Sequence, residues 1–449
     1  MADIAPFKGL LYNRKLVPNL DAVITPPYDV ISPEEQGMYH QRHPYNMIRL
    51  ILGPQDPENT PHNSWYQSAA ETFQTWQREG VLIRDPKPAI YDYEIDYREP
   101  STQPKTRLGF ICLVRLQDFS LGSVRPHERT YEETKSDRLK LMCACNANLS
   151  QVFALYSDPA HLVSHHLQQG REGTEVFDFV DRTGIRHRMW RVNREDALQR
   201  IVASMKDKTL YIADGHHRYE TALNYQHLMQ QKYPQRGSRA SFNYVLMYLS
   251  NMHQSGLSIL PTHRMFVHLH QFNMTSFLAR TAEYFEVARF PFNATTRNQV
   301  LEEFLHALRS AGDRNFIGVY AARSDQFVLL KLRLDVDHEF WRGDLPQSLQ
   351  ELDVVVLTDF ILKRLLKVDE LMLNDETRIT YRHDSREAIE QVDHGLFQVA
   401  FLLNHTRVEQ VEAVASSGLI MPHKSTYFYP KVIDGSVLNL LEPEENVSD

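Results

Sequence analysis

Hydrophobic and polar residues alternate along this chain with two periods, that of an α-helix in some segments and that of a β-strand in others. Residues 64–79 repeat apolar side chains every three or four positions and predict a helix that ends before Gly80. Residues 89–97 alternate cleanly and predict a strand, and residues 107–116 form a denser apolar run that favours an interior strand. The polar stretch between these two strands predicts a long hairpin.

The same two periods recur up to the end of the chain. Further helices are predicted at 133–146, 159–169, 194–206, 216–233, 275–284 and 296–311. Further strands are predicted at 151–157, 175–181, 186–192, 209–213, 243–250, 316–321 and 327–332, and the chain ends with apolar or aromatic runs at 377–384, 396–403 and 424–430. This mixture of elements predicts a mixed α/β or α+β fold.

The amino-acid composition and the net charge argue against several classes of protein. The 449 residues are 42% hydrophobic and 24% charged, which is typical of a globular chain of two or three domains. A net charge of −8 argues against a nucleic-acid partner, because nucleic-acid-binding proteins usually present a basic face. Three cysteines are too few for a disulfide framework, and no apolar run reaches the ~18 residues that a membrane span needs. With no signal-peptide pattern at the start, we expect a soluble cytoplasmic protein without a membrane partner.

One stretch, LYIADGHHRYETAL at residues 210–223, concentrates polar side chains where a predicted strand turns into a predicted helix. The first amides of a helix attract anions, and Gly215 lets the backbone approach a ligand closely. His216, His217 and Arg218 add donors suited to phosphoryl oxygens. Asp214 is the candidate ligand for Mg²⁺, which prefers oxygen ligands. The pattern predicts a nucleotide phosphate site.

Two other interpretations of this stretch stay open. Each residue is also common as plain structure, since aspartate often caps helices and glycine is frequent in turns. A metal site is the second alternative, with His216 or His217 joined by Glu220 and His227, although the spacing differs from that of zinc peptidases.

ADGHHRYETAL resembles the signature of the ParB/sulfiredoxin-like superfamily, and most closely the DGHHR form of its free serine kinases. Over its whole length the chain resembles a prokaryotic family of unknown function, DUF1015. The stretches that carry this second resemblance are ITPPYDVIS, NMIRLILG, PHERTYEETKSDRLKLM, ADGHHRYETAL, GLSILPTHR and MPHKSTYFYPK. The resemblance implies a ParB/sulfiredoxin-like nucleotide-binding core with additional α/β regions. We therefore expect an N-terminal α/β region at 1–105, the core at 106–265 and a C-terminal α/β domain at 266–449.

The stretch PHERTYEETKSDRLK supplies the candidate base. In the serine kinases that the chain resembles, a glutamate upstream of DGHHR is the presumed base, and Glu128 is the matching position here. A carboxylate within hydrogen-bond reach of an attacking hydroxyl suits phosphoryl transfer. Lys135 and Arg138, three apart on a predicted helix, are expected to project toward phosphates, or else belong to a solvated helix face.

Three loop regions offer further polar side chains. LPTHR carries His263 and Arg264, and PHKSTYFYPK carries Lys424, Ser425 and Thr426. These five residues are candidates for substrate binding. The pair Lys424-Ser425 is not part of a P-loop, because the glycine-rich loop that precedes the lysine in that motif is absent here. In TPPYDVIS, Tyr28 and Asp29 are candidates to face a ligand, and the alternative, which we favour, is that Asp29 caps the turn before the helix that Ser32 and Pro33 start.

The function expected from these features is a nucleotide-dependent phosphotransferase acting on a small hydroxylated metabolite, with free L-serine as the first candidate. ATP or ADP is the expected phosphoryl donor and Mg²⁺ the expected metal, with Glu128 and Asp214 as catalytic residues. The alternatives are a non-catalytic nucleotide-binding regulatory or scaffold protein of the ParB-like type and a metal-dependent hydrolase. The oligomeric state is open.

Overall fold

The structure is a computed structural model that describes residues 2–53, 64–99, 103–128, 130, 132–270, 272–312, 314–333, 345–373, 375 and 377–447. The chain forms two compact units. Unit 1 comprises Met1–Pro126, Thr130–Leu257 and Pro430–Asp449, and unit 2 comprises His127–Arg129 and Ser258–Tyr429. The expected division into three sequence regions stays a prediction.

Strands within the described residues are β1 (Ile4–Ala5), β2 (Leu10–Tyr12), β3 (Leu82–Arg84), β4 (Ile90–Tyr97), β5 (Lys105–Arg115), β6 (Val124–Arg125), β7 (Ala147–Asn148), β8 (Val152–Tyr156), β9 (Arg171–Val180), β10 (Arg186–Val192), β11 (Leu210–Asp214), β12 (Tyr244–Asn251), β13 (Ser258–Leu260), β14 (His263–Phe266), β15 (Phe285–Pro291), β16 (Phe316–Ala321), β17 (Gln326–Leu332), β18 (Ile379–Arg382), β19 (Val399–Leu403), β20 (Tyr427–Tyr429) and β21 (Asn439–Leu440). Helices are α1 (Pro33–Arg42), α2 (Ile48–Ile51), α3 (Ser64–Arg78), α4 (Glu132–Cys145), α5 (Leu162–Gly170), α6 (Glu195–Met205), α7 (His216–Lys232), α8 (Met274–Thr281), α9 (Arg297–Arg309), α10 (Gln347–Gln350), α11 (Asp353–Val355), α12 (Glu370–Leu373), α13 (Ser385–Asp393) and α14 (Val408–Ser416). A π-helical segment spans Val356–Leu365. The expected mixed α/β fold is confirmed.

Unit 1 is built on a mixed sheet with the strand order β6-β11-β8-β12-β5-β4-β10-β9, to which β1 adds by pairing with β5. The predicted hairpin is confirmed, because β4 and β5 pair antiparallel with Tyr91 opposite Ile111. Helices α5, α6 and α7 cover one face of the sheet, where Ile201 and Ala222 pack against strand residues such as Ile212. This apolar layer fixes the position of β11 and of the helix that follows it.

The other face of this sheet carries aromatic and polar side chains. Tyr248 on β12 pairs with Phe153 on β8 and with Ile111 on β5, so these three residues share a face. Gly109 makes room for Tyr248, since a Cβ atom at position 109 would lie 2.3 Å from the tyrosine ring. Asp214 at the end of β11 lies opposite Phe153, after a bulge. The bulge thereby turns the end of β11 toward this second face.

Unit 2 is built on an antiparallel sheet with the order β15-β17-β16-β19-β14-β18. Helices α9 and α13 pack on it through side chains such as Phe304 and Ile389, both buried. A two-stranded ladder of β13 and β20 pairs Ile259 with Phe428. Among the described residues of the chain, every helix is too short or too polar to cross a bilayer.

Candidate functional site

The stretch that sequence analysis singled out forms a sharp turn in unit 1. Strand β11 ends at Asp214, Gly215 takes a left-handed conformation with φ of +88°, and α7 begins at His216. A Cβ atom at position 215 would lie 2.8 Å from Nε of Arg218. Glycine is therefore required both for the backbone conformation and for the close approach of Arg218. The helix that follows is 17 residues long, and its first amides lie just beyond the sheet.

Asp214 is held between two cations. Arg218 donates from Nη2 to Oδ2 of Asp214, and Lys431 donates from Nζ to Oδ1. The three side chains are only 10 to 13% exposed. Burial alone would raise the pKa of the Asp214 carboxyl, but the charges of Lys431 and Arg218 outweigh it and hold that pKa well below its usual range.

This arrangement bears on the expected Mg²⁺ site. Each carboxylate oxygen of Asp214 accepts a charged hydrogen bond from a lysine or an arginine. Each of these oxygens keeps a second lone pair, so a metal ion there would lie beside both cations, whose like charge disfavours it. Direct binding of Mg²⁺ by Asp214 stays a prediction.

Arg218 is bonded largely within the protein. Besides its contact with Asp214, it donates from Nη1 to the carbonyl oxygen of Gln151, which precedes β8. It therefore ties the start of α7 to the neighbouring strand. Of the predicted phosphate ligands at this turn, His216 is buried and His217 is half-buried. Their role in binding phosphate stays a prediction.

A second carboxyl group, Asp434, lies close to this turn and was not among the sequence candidates. Its side chain is fully buried, Ser150 donates from Oγ to its Oδ2 at 2.7 Å, and its Oδ1 has no hydrogen-bond partner among the described residues. Burial raises the pKa of Asp434 to about 7, and the charge of Arg218 only partly opposes that rise. Like Lys431, Asp434 lies in the last 20 residues of the chain. In that part of the sequence, only the family stretch that ends at Lys431 indicated a functional site.

The helix residues predicted to bind phosphate are engaged with other protein groups. Lys135 donates to Glu220 at 2.8 Å, and Glu220 also accepts from Thr130. Arg138 donates to the carbonyl oxygen of Ile51 at 2.6 Å. Both side chains therefore have structural roles, and phosphate binding by either stays a prediction.

The alternative metal site gains no support from the described residues. They contain no group of three histidine, cysteine, aspartate or glutamate side chains placed to hold a metal ion. Glu220, which that alternative needs as a ligand, instead accepts hydrogen bonds from Thr130 and Lys135.

A small cavity of about 50 Å³ lies beside the turn in unit 1. Tyr28, Arg138 and Arg218 line it together with Thr221 and several apolar side chains. The guanidinium of Arg138 lies over the ring of Tyr28 at 4.2 Å, and burial raises the pKa of Tyr28 to about 12. Tyr28 therefore remains protonated at neutral pH and presents a ring and a hydroxyl group beside the two arginines.

The loop that carries Tyr28 corrects one sequence expectation. The turn Tyr28–Val30 has no capping hydrogen bond from a side chain, so Asp29 does not cap it. Instead Ser32 caps α1, because its Oγ accepts from the amide of Glu35 and the Glu35 carboxylate accepts from the Ser32 amide. The Ser-Pro start of this helix had the stronger capping signal.

The predicted base lies in unit 2, whereas Asp214 lies in unit 1. Glu128 accepts through Oε1 from the amide and the hydroxyl group of Thr426, at 3.3 and 3.2 Å. His127 Nε2 is 2.9 Å from the same hydroxyl oxygen. Within unit 2 the structure thus brings together Glu128 and Thr426, two residues that sequence analysis assigned to catalysis and substrate binding.

The other candidates in unit 2 are held by neighbouring groups. Nδ1 of His263 accepts from the amide of Leu403 at 3.1 Å, so its Nε2 carries the proton and donates to Ser385 Oγ at 2.8 Å. Burial lowers the pKa of His263 to about 3, which keeps the ring neutral. This proton arrangement fits a structural histidine.

The remaining substrate-binding candidates in unit 2 are Arg264 and residues of the loop at 424–426. Arg264 is buried and donates to the hydroxyl group of Thr358 and to the carbonyl oxygen of His423. Lys424 has a positive φ of +56°, and the hydroxyl group of Ser425 donates to the Pro422 carbonyl at 2.5 Å. Substrate binding by these residues stays a prediction.

Comparisons with known proteins give one family and several solved structures. A family model described as "Protein of unknown function (DUF1015)" matches residues 4–355. No curated protein matches the chain. Similar solved structures include a conserved hypothetical protein from Pyrococcus furiosus, with 13% identity and a TM-score of 0.32 over 70% of this chain and 90% of that one. Free serine kinase in complex with AMP has 12% identity and a TM-score of 0.34 over 77% of this chain and 95% of that one. C-terminally truncated SbnI from Staphylococcus aureus has 9% identity and a TM-score of 0.34 over 75% of this chain and 90% of that one.

Proposed function

The chain belongs to the DUF1015 family of proteins of unknown function, and we propose that it is a nucleotide-dependent phosphotransferase whose phosphate site is the turn from β11 into α7. The acceptor is a small hydroxylated metabolite, and free L-serine is the first candidate because the DGHHR stretch resembles that of serine kinases. The donor is ATP or ADP.

The observation that carries this proposal is the geometry of the turn. A strand end, a left-handed glycine and a long helix present consecutive amides at one point, which is the arrangement that receives phosphate groups in many proteins. Asp214, clamped by Arg218 and Lys431, holds the turn rigid. His216 and His217, in the first turn of α7, supply further donors to the phosphoryl oxygens.

In the proposed reaction the acceptor hydroxyl oxygen attacks the terminal phosphorus of the nucleotide. A new P–O bond forms, the bond to the leaving ADP or AMP breaks, and the hydroxyl proton passes to a carboxylate. Glu128 is the proposed base. Its carboxylate is half-buried and is oriented by two hydrogen bonds from Thr426.

The test is a direct assay of the purified full chain. ATP or ADP, Mg²⁺ and L-serine are incubated with the protein, and phosphoserine is measured by ³¹P NMR and mass spectrometry. Glu128→Gln is expected to lower the rate by at least 10²-fold while nucleotide affinity stays within about twofold, because general-base catalysis contributes about 10²–10⁴-fold. Glu390→Gln, the same substitution at an exposed position of unit 2, is the matched control.

Two results would contradict the proposal. One is the absence of any phosphorylated product with either nucleotide across a panel of hydroxy acids, amino acids and sugars. The other is tight nucleotide binding without transfer or hydrolysis, which would favour a nucleotide-dependent regulatory protein.

A further inference from the structure

His127 and Glu128, which are adjacent in the chain, are both held by the loop at 421–426 of unit 2. The amide of Met421 donates to the carbonyl oxygen of His127 at 2.8 Å, and Met421 pairs with Glu128 as an isolated parallel bridge. At the other end of the loop, the amide of Thr426 donates to Oε1 of Glu128 at 3.3 Å. The backbone thus fixes both side chains relative to Thr426.

The hydroxyl group of Thr426 lies between the two side chains. Its oxygen is 3.2 Å from Oε1 of Glu128 and 2.9 Å from Nε2 of His127. Nε2 and Oε1 are themselves 3.9 Å apart, which is too long for a hydrogen bond. The hydroxyl group is therefore the link between the histidine and the glutamate.

A single proton decides the direction of both hydrogen bonds. A threonine hydroxyl group has one proton to donate, and an ionised carboxylate can only accept. The Thr426 proton therefore points at Glu128, and the hydroxyl oxygen accepts from the ring of His127. This arrangement requires a proton on Nε2 of His127.

Burial decides which of these groups a ligand can reach. The side chain of His127 is fully buried, whereas that of Glu128 is 15% exposed. An acceptor can therefore touch the carboxylate but not the imidazole ring. His127 acts on such a ligand only through Thr426, by keeping a hydroxyl group that is otherwise free to rotate turned toward Glu128.

A buried cation in the same unit favours the charged form of Glu128. The guanidinium of Arg264 is held by the hydroxyl group of Thr358 and the carbonyl oxygen of His423. Burial lowers the pKa of Arg264, and the charge of Glu128 is one of those that oppose this effect. The attraction is mutual, so Arg264 and the two donors of Thr426 all favour the carboxylate that a general base requires.

We propose that His127 is a positioning residue for phosphotransfer, which donates to the Thr426 hydroxyl group and thereby holds Glu128 ready to accept the proton of the acceptor. The inference rests on the proposed function, in which Glu128 is the base. As the acceptor oxygen bonds to phosphorus, its proton passes to the Glu128 carboxylate, and His127 and Thr426 keep their own protons. Their contribution is the orientation of the base.

The first test locates the proton on His127 in the full chain and needs no turnover. Protein labelled with ¹⁵N-histidine is studied by long-range ¹H–¹⁵N NMR, and the signals of this ring are assigned from the backbone and by their loss in His127→Gln. We expect Nε2 to carry a proton in the wild type. An Nε2 without a proton would overturn the inference, because the single Thr426 proton would then be donated to the histidine instead of to Glu128.

Two threonine variants extend this test. Thr426→Val replaces the hydroxyl acceptor by a methyl group of similar size, so we expect the Nε2 resonance of His127 to move. Thr281→Val, which removes a buried hydroxyl group bonded to the Leu278 carbonyl of the same unit, is the matched control and should leave that resonance unchanged. An Nε2 resonance that does not respond to Thr426→Val would contradict the proposed hydrogen bond.

The second test follows phosphoserine formation as a function of pH. Thr426→Val should lower kcat about 10- to 10²-fold, as expected for a lost hydrogen bond to a charged group, and His127→Phe about 2- to 10-fold, as expected for a typical one. In both variants the acidic limb of the kcat profile should move to higher pH, because the charged carboxylate is less well stabilised. Thr426→Ser and His127→Gln, which keep a hydroxyl group and an N–H donor, should recover most of the rate.

The KM for nucleotide should stay unchanged in all of these variants, and Thr281→Val should behave as the wild type. A wild-type profile in His127→Phe would contradict the proposal. A loss of rate without any shift of the acidic limb would also contradict it, since a merely structural role predicts that result.

The two tests separate this inference from the proposed function. A proton on Nε2 of His127, with no phosphoserine formed, would support the arrangement at Glu128 and refute phosphotransfer. Phosphoserine formed by a wild type whose Nε2 lacks a proton, or by His127→Phe with the wild-type pH profile, would support phosphotransfer and refute the role of His127.

Discussion

Asp434 makes the stability of unit 1 depend on pH, and Asp434→Asn is expected to remove that dependence. The carboxyl group is fully buried, one oxygen accepts from Ser150, and the other has no partner among the described residues. Burial raises its pKa from 3.8 to about 7. At pH values between these two limits the folded chain keeps the proton, whereas the unfolded chain has lost it.

The sign and the size of the effect follow from this difference. Because the folded state binds more protons, the free energy of unfolding falls as the pH rises, and the loss is complete above the folded-state pKa. At about 1.4 kcal/mol for each pH unit, a pKa that rises from 3.8 to about 7 costs up to about 4 kcal/mol. An asparagine carries no charge at any of these pH values, and its amide oxygen still accepts from Ser150.

The assay is urea unfolding of the full chain, followed by circular dichroism from about pH 5 to about pH 9. We expect Asp434→Asn to gain stability relative to the wild type as the pH rises, by a few kcal/mol across the range. Asp207→Asn, an exposed aspartate in the same unit, controls for the loss of one carboxyl group. A constant difference between Asp434→Asn and the wild type at all pH values would refute the argument that the buried carboxyl is protonated in the folded state.

Three further predictions concern single contacts. Gly215→Ala should lower the free energy of unfolding by about 1–2 kcal/mol in urea titrations, because a left-handed conformation disfavours a Cβ atom, and it should weaken nucleotide binding in calorimetry. Lys431→Met should raise the pKa of Asp214 toward its ordinary value of 3.8, so the variant should lose less stability than the wild type as the pH falls below about 4, which thermal unfolding from about pH 6 down to about pH 2 measures. Ser385→Ala should cost about 1–3 kcal/mol, since it leaves the buried N–H of His263 without an acceptor, and urea unfolding would show it.

Local patterns predicted most of the secondary structure. The strand Phe316–Ala321 was expected with the observed bounds, and α7 was expected to within one residue. Such elements depend on neighbours along the chain, whose periodicity is visible in the sequence. The sheet orders depend on distant pairings, and the return of Pro430–Asp449 to unit 1 has no local signal. For this reason the division of the chain into these two units could not be derived from periodicity.

The candidate site likewise combines features that adjacent residues determine with features that depend on distant parts of the chain. The turn at Gly215 is encoded by adjacent residues, so the sequence predicts it. Whether an arginine is available to a ligand depends instead on partners elsewhere in the chain. Arg218, the arginine within the recognised stretch, donates to Asp214 and to the backbone of Gln151. Asp434 belongs to no recognised stretch, yet it is fully buried and close enough to Arg218 for that charge to affect its pKa. Residue type thus indicates which side chains are suited to an anion, and only the folded contacts indicate which of them are already engaged within the protein.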